Sequence, residues 1–246
     1  MFCCGPANPA YALCFACATA SEQLNQALSP VLPLSLCPLP SDLYAVLLGY
    51  KEAPVAEVRR RCAATVDALF THFFARHWRC VFQLLRQAPS LILPVPSSSR
   101  PGAPPLDHVT GLSRHVVDAL APWPALLGEP LWCPGVLERG HGLIGHMTSH
   151  PDGFVVPGWA EPLVARSHVV LLDDTYVSGA RAQSAAAALR LAGASRVLIV
   201  PLGRVIRPDR IAEHAEFLRR SRRSRAGKHR CARCVVTQRE AGTGVG

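Results

Sequence analysis

The sequence has no uninterrupted apolar run approaching the ~20 residues that a membrane-spanning helix needs, which excludes a helical membrane protein. Its apolar N-terminal stretch, residues 1–20, lacks a preceding basic region and is broken by Pro6 and Pro9, so it does not read as a signal peptide. No internal repeat is present, and lysine occurs only twice, at Lys51 and Lys228. Charged residues make up only 17% of the 246 positions, whereas 49% are hydrophobic, enough to bury a sizeable core and to exclude wholesale disorder. These features predict a soluble, cytoplasmic, globular protein of one large domain, with room for an appended module.

Ten cysteines are present. A chain with this much core does not need disulfide staples. Four of the ten form two CxxC pairs, Cys14/Cys17 and Cys231/Cys234, a spacing that suits metal ligation in a reducing compartment. Cys37, Cys62, Cys80 and Cys133 are scattered in apolar surroundings and read as small buried thiols. The formal charge of +9 is equally uneven: residues 219–233 hold eight Lys and Arg and no acid, and without them the charge is +1. Such a stretch suits non-specific contact with the phosphates of nucleic acid. No aromatic residue interleaves it to stack a base, and a solvated tail is the plainer reading.

Coarse periodicity gives an alternating pattern. Prolines at 30, 33, 38 and 40 predict an extended segment or edge strand. Asp42 is expected to cap a short helix through Gly49, although 43–50 also suits a strand. Apolar positions Val55, Val58, Cys62, Val66, Leu69 and Phe73 predict a long helix towards Arg86, with Pro54 in its first turn. Strands are expected at 91–95, 168–172 and 196–202, with short ones near 131–137 and 153–156. Helices are expected at 107–120, 179–192 (ended by Gly193) and 208–219. Strands alternating with helices predict an α/β fold with a parallel sheet.

The segment richest in chemistry is 169–181, VVLLDDTYVSGAR. Four apolar residues form a buried strand, with Asp173 and Asp174 at its carboxyl edge. A turn containing Thr175, Ser178 and Gly179 then feeds an alanine-rich helix. Ligands bind at that edge of open α/β sheets. Backbone N–H groups and the positive end of the helix cradle an anion there, and Gly179 lets it approach closely. Two adjacent acids beside an anion site make sense when they face sugar hydroxyls near a divalent cation. The bland alternative, two acids and a serine that merely cap a turn, does not account for the strand–turn–helix–strand context.

This segment resembles the phosphoribosyl-pyrophosphate (PRPP) motif of type I phosphoribosyltransferases. The chain as a whole resembles the ComF-like, competence-associated branch, which places a Cys-rich probable zinc module before a phosphoribosyltransferase domain. The likeness also touches Gly49-Tyr50-Lys51, 93–97 and 154–204. It implies a type I phosphoribosyltransferase-like core at 41–218, a Cys-rich module and linker at 1–40, and a basic tail with CxxC at 219–246. By position, Asp173 and Asp174 would hold the ribose hydroxyls of PRPP with Mg²⁺. Thr175, Tyr176, Val177, Ser178, Gly179, Ala180 and Arg181 would wrap its 5′-phosphate. Ser97, Ser98, Ser99 and Arg100 match the pyrophosphate loop, where small residues admit phosphate and an arginine pairs with it.

The implied activity is transfer of a phosphoribosyl group to an unidentified acceptor. The alternative is a non-catalytic PRPP-binding or nucleic-acid-associated accessory protein. Two departures bear on turnover. The family's threonine is Arg181 here, and its Arg-rich, Gly-Phe-Asn segment after the pyrophosphate loop is replaced by 101–105, PGAPP. Residues 134–159 are expected to include the small hood that receives the acceptor. His141, His146 and His150 within it have neither helical register nor neighbouring acids for a metal site. Lys51 reads as solvated. A structural zinc on Cys14 and Cys17 needs two further ligands, with Cys3/Cys4 and Cys231/Cys234 both open.

Overall fold

The computed structural model describes residues 13–96, 131–224 and 231. The expected helix at 107–120, the loop residues Ser97, Ser98, Ser99 and Arg100, and Cys3, Cys4 and Cys234 lie outside the described residues.

Strands β1 (Ser35–Pro38), β2 (Leu91–Pro94), β3 (Leu131–Trp132), β6 (His168–Tyr176) and β7 (Arg196–Ile206) form one five-stranded sheet in the order β1-β7-β6-β2-β3. Every pairing in it is parallel. The α/β class expected from the alternating pattern is therefore present. β4 (Glu138–Arg139) and β5 (Phe154–Val155) make a separate antiparallel ribbon.

The core follows from alternation along the two central strands. Side chains of successive strand residues point to opposite faces. Val170 and Leu172 join Leu198 and Val200 on one face, against Phe70, Phe73 and Phe74 of α3 (Ala56–Leu85). Val169 and Leu171 join Val197 and Ile199 on the other, against Ala182, Ala185 and Ala186 of α5 (Ala180–Leu191). The alanines of α5 let that helix lie close to the sheet. Strands covered on both sides read as continuous apolar runs, which is why β6 and β7 were legible.

Several boundaries differ from the sequence expectation. Helix α2 (Asp42–Glu52) is capped by Ser41, whose Oγ accepts from the Tyr44 N–H at 3.3 Å, so Asp42 sits in the first turn instead. Pro54 lies ahead of α3, whose N-cap is Val55. The last helix, α6, begins later, at Ala212, and runs to Ser224 into the arginine stretch. The 131–137 segment is strand only at β3, then a 3₁₀ turn at Pro134–Val136. Strand β6 does not stop at Leu172 but continues through both acids to Tyr176. β7 supplies the reason, pairing Asp173 with Pro201 and Thr175 with Gly203, while β2 ends level with Leu172. Short helices α1 (Phe15–Gln23) and α4 (Glu161–Val164) complete the described fold.

Candidate functional site

The chain leaves β2 towards β3 on one side and leaves β6 towards β7 on the other. The gap between β2 and β6 is thus the point where the winding reverses, the place at which open α/β sheets hold ligands beyond their carboxyl ends. A cleft of about 240 Å³ opens there, between Val95 and Pro96 after β2 and the 173–182 run after β6. Tyr50 and Lys51 from the end of α2, and Gly145 and His146 from the ribbon region, close its sides.

The two adjacent acids face different surroundings because they alternate across the sheet. Asp174 is buried on the α2–α3 side, where it accepts a hydrogen bond from the Tyr50 hydroxyl and pairs with Lys51. Burial, and then the charge of Asp174, hold the Tyr50 hydroxyl in its protonated form. Asp173 faces the α5 side. Its Oδ1 accepts from the Asp174 N–H at 3.0 Å. Desolvation first, and the Asp174 charge second, push its carboxyl up to about 7, with Lys51 and Arg181 offsetting only part of this. One acid is neutralised by the protein, and its neighbour is held with its charge incompletely compensated.

The turn that follows is rigid. Gly179 has φ +85°, and a Cβ there would fall 2.0 Å from the Tyr176 ring, so only glycine fits. Arg204 donates to the carbonyls of Tyr176, at 3.1 Å, and of Val177. Ser178 donates to the His146 carbonyl and accepts from the Ala180 N–H at 3.3 Å, tying the turn to the ribbon region. The N-cap Gly179 carries no side chain and Ser178 holds only the Ala180 N–H, so the next N–H groups and the positive end of α5 face the cleft. Arg181, in the first turn, donates to the Pro96 carbonyl at 2.9 Å and so joins β6–α5 to the end of β2. Burial, and then the nearby Arg139, lower its pKa, which marks a place where cations gather.

The structure brings Asp173, Asp174, Thr175, Val177, Ser178, Gly179, Ala180 and Arg181 to one cleft. Tyr176 does not line it. Its ring turns into the core, 1% exposed, with its hydroxyl 3.4 Å from Gln183 Nε2. Lys51 pairs with Asp174 instead of standing in solvent as expected, and Tyr50 and Arg139, beside Asp174 and Arg181, join the site without having been expected there. For Tyr50 and Lys51 the only early signal is the Gly49-Tyr50-Lys51 stretch; Arg139 has none. The expected metal ligands separate. Cys14 and Cys17 are buried on the α5 face of the sheet and Cys231 on the α3 face, so these three are not brought together. His77, Cys80 and Cys231 form instead a cluster whose spacing can hold a metal ion.

Compared with known proteins, the chain matches no family model, no curated protein and no solved structure. Among the described residues, no helix is long and apolar enough to cross a membrane.

Proposed function

We propose that this protein binds PRPP at the β2–β6 cleft and is a type I phosphoribosyltransferase-like protein. The observation that carries the reading is the pair of unlike acids beside a glycine-led helix start at the winding reversal. Asp173 and Asp174 present acceptors for two adjacent sugar hydroxyls. Thr175, the N–H groups of the turn and Arg181 offer donors to a terminal phosphate, while Ser178, donating to the His146 carbonyl, holds the turn in place. The resemblance assigns Ser97, Ser98, Ser99 and Arg100 to the pyrophosphate.

The donor set is all oxygen on the acidic side, with one carboxylate short of positive charge, which fits a hard divalent cation such as Mg²⁺. Bound with PRPP, Mg²⁺ would offset phosphate and carboxylate charge. The protein's own part is placement. Asp173 and Asp174 orient the ribose, the 175–181 turn fixes the phosphate, and the cations Lys51 and Arg181 counter negative charge around the leaving group. The ribbon region at Gly145 and His146 borders the cleft where an acceptor would enter, consistent with a hood.

The test is a thermal-shift titration of PRPP with Mg²⁺, followed by pyrophosphate release across a panel of nitrogen-containing acceptors. A rise in Tm with ligand, by mass action, supports the reading. No shift at millimolar PRPP removes it.

A further inference from the structure

On the opposite side of the sheet from α5, three metal-ligating side chains meet. His77 and Cys80 lie three residues apart on α3, so they project from one side of the helix. That side faces the core, and each is only 9% exposed. Cys231, 2% exposed, reaches them from near the C-terminus. One ligand atom from each, an imidazole nitrogen and two sulfurs, lies within 4.8 Å of the other two.

In a tetrahedral zinc site with Zn–S near 2.3 Å and Zn–N near 2.1 Å, neighbouring ligand atoms stand about 3.5–3.8 Å apart. Closing these three on an ion needs little more than an ångström of movement at most. Thiolate and imidazole together are the ligands zinc prefers. The sequence supplies the partner spacing on both arms, His-x-x-Cys at 77–80 and Cys-x-x-Cys at 231–234. The Phe73 ring, centred 5.1 Å from that of His77, limits where the imidazole can turn. Cys80 had read as a core thiol because nothing local to α3 announces a ligand 151 residues away.

We propose that His77, Cys80 and Cys231 bind one zinc ion that fastens the chain at Cys231 to α3. On binding, the thiols give up their protons to solvent, the sulfurs and one imidazole nitrogen bond to the ion, and no oxidant or reductant takes part. The arginine stretch at 219–230 lies between the end of the sheet and this clasp, so the ion restrains the most basic part of the chain. The site is independent of the PRPP reading.

The test uses the full chain purified under reducing conditions. Zinc content should fall by one equivalent in Cys80→Ser and in Cys231→Ser, and not in the Cys14→Ser, Cys17→Ser double variant. Cobalt added to stripped wild-type protein should give thiolate-to-cobalt charge-transfer bands and the intense visible bands of tetrahedral cobalt. His77→Cys, which keeps a soft ligand, should retain the metal and strengthen the charge-transfer bands, whereas His77→Phe should lose it. Trypsin should cut the arginine stretch several-fold faster after chelation. The proposal is overturned if Cys80→Ser and Cys231→Ser hold as much zinc as wild type. It is also overturned if stripped wild type takes up cobalt without thiolate bands, or takes up none.

Discussion

An asparagine at position 173 keeps the size of Asp173 and the acceptor for the Asp174 N–H, while removing its charge. In the free protein that charge is unfavourable, because burial and Asp174 push the carboxyl up to about 7 from its ordinary 3.8. The folded state then takes up a proton that the unfolded chain releases, so this group lowers stability progressively as pH rises from about 4 to about 7. The full interval corresponds to ~4 kcal/mol at 1.36 kcal/mol per pH unit. Water reaching a half-buried carboxylate reduces it to about 1–2 kcal/mol. For a chain of 246 residues that is a Tm gain of about 2–8 °C for Asp173→Asn. Urea or thermal unfolding across pH 4–8 reads it. The gain should be largest above pH 7 and shrink towards pH 4, vanishing only below the ordinary 3.8, where the wild-type carboxyl is protonated in both states. A less stable variant at pH 8, or a gap that ignores pH, would refute the reasoning.

Asp174→Asn should act in the opposite direction, losing about 1–2 kcal/mol at neutral pH, because it removes the Lys51 partner and weakens the Tyr50 hydrogen bond; denaturant unfolding measures it. Gly179→Ala should destabilise by about 2–3 kcal/mol through backbone strain and collision with Tyr176, and should abolish the PRPP-dependent Tm shift. Phe70→Ala, in the α3 core, should cost about 3–5 kcal/mol in the same unfolding assay. The 219–233 stretch should bind duplex DNA without sequence preference, log K falling with log salt by about 0.9 per phosphate contacted. Changing Arg222, Arg223, Arg225 and Arg230 to Gln should flatten that slope, and an unchanged slope would show that the stretch makes no such contacts.

The α/β class is legible because 168–172 and 196–202 are apolar on both faces, as strands covered on both sides are, and helical patterns separate them. The continuation of β6 through Asp173 to Tyr176 was not, since a polar run becomes strand there only because β7 extends beside it. The cleft's 173–181 side could be read from local order alone: strand, acids, glycine turn, helix. Its α2 side could not, because the Lys51–Asp174 pair joins residues far apart in sequence, and an isolated lysine reads as solvated. Tyr176 falls inside the motif, where order along the chain alone points to a ligand-facing residue. Its place on a buried strand position, held near Gln183, turns it inward. The same blindness to long-range contact separated Cys80 from Cys231.

The central claim, that the β2–β6 cleft holds PRPP through its acid pair, is tested most directly by calorimetric titration of PRPP with Mg²⁺ into the full chain at pH 8. Wild type should bind at a single site, and the Asp173→Asn, Asp174→Asn double variant, verified as folded by its unfolding curve, should give no binding heat. Cys14→Ser, outside the cleft lining, should bind as wild type does. A folded wild type that gives no heat of binding, or a double variant that binds PRPP as tightly as wild type, would contradict the account.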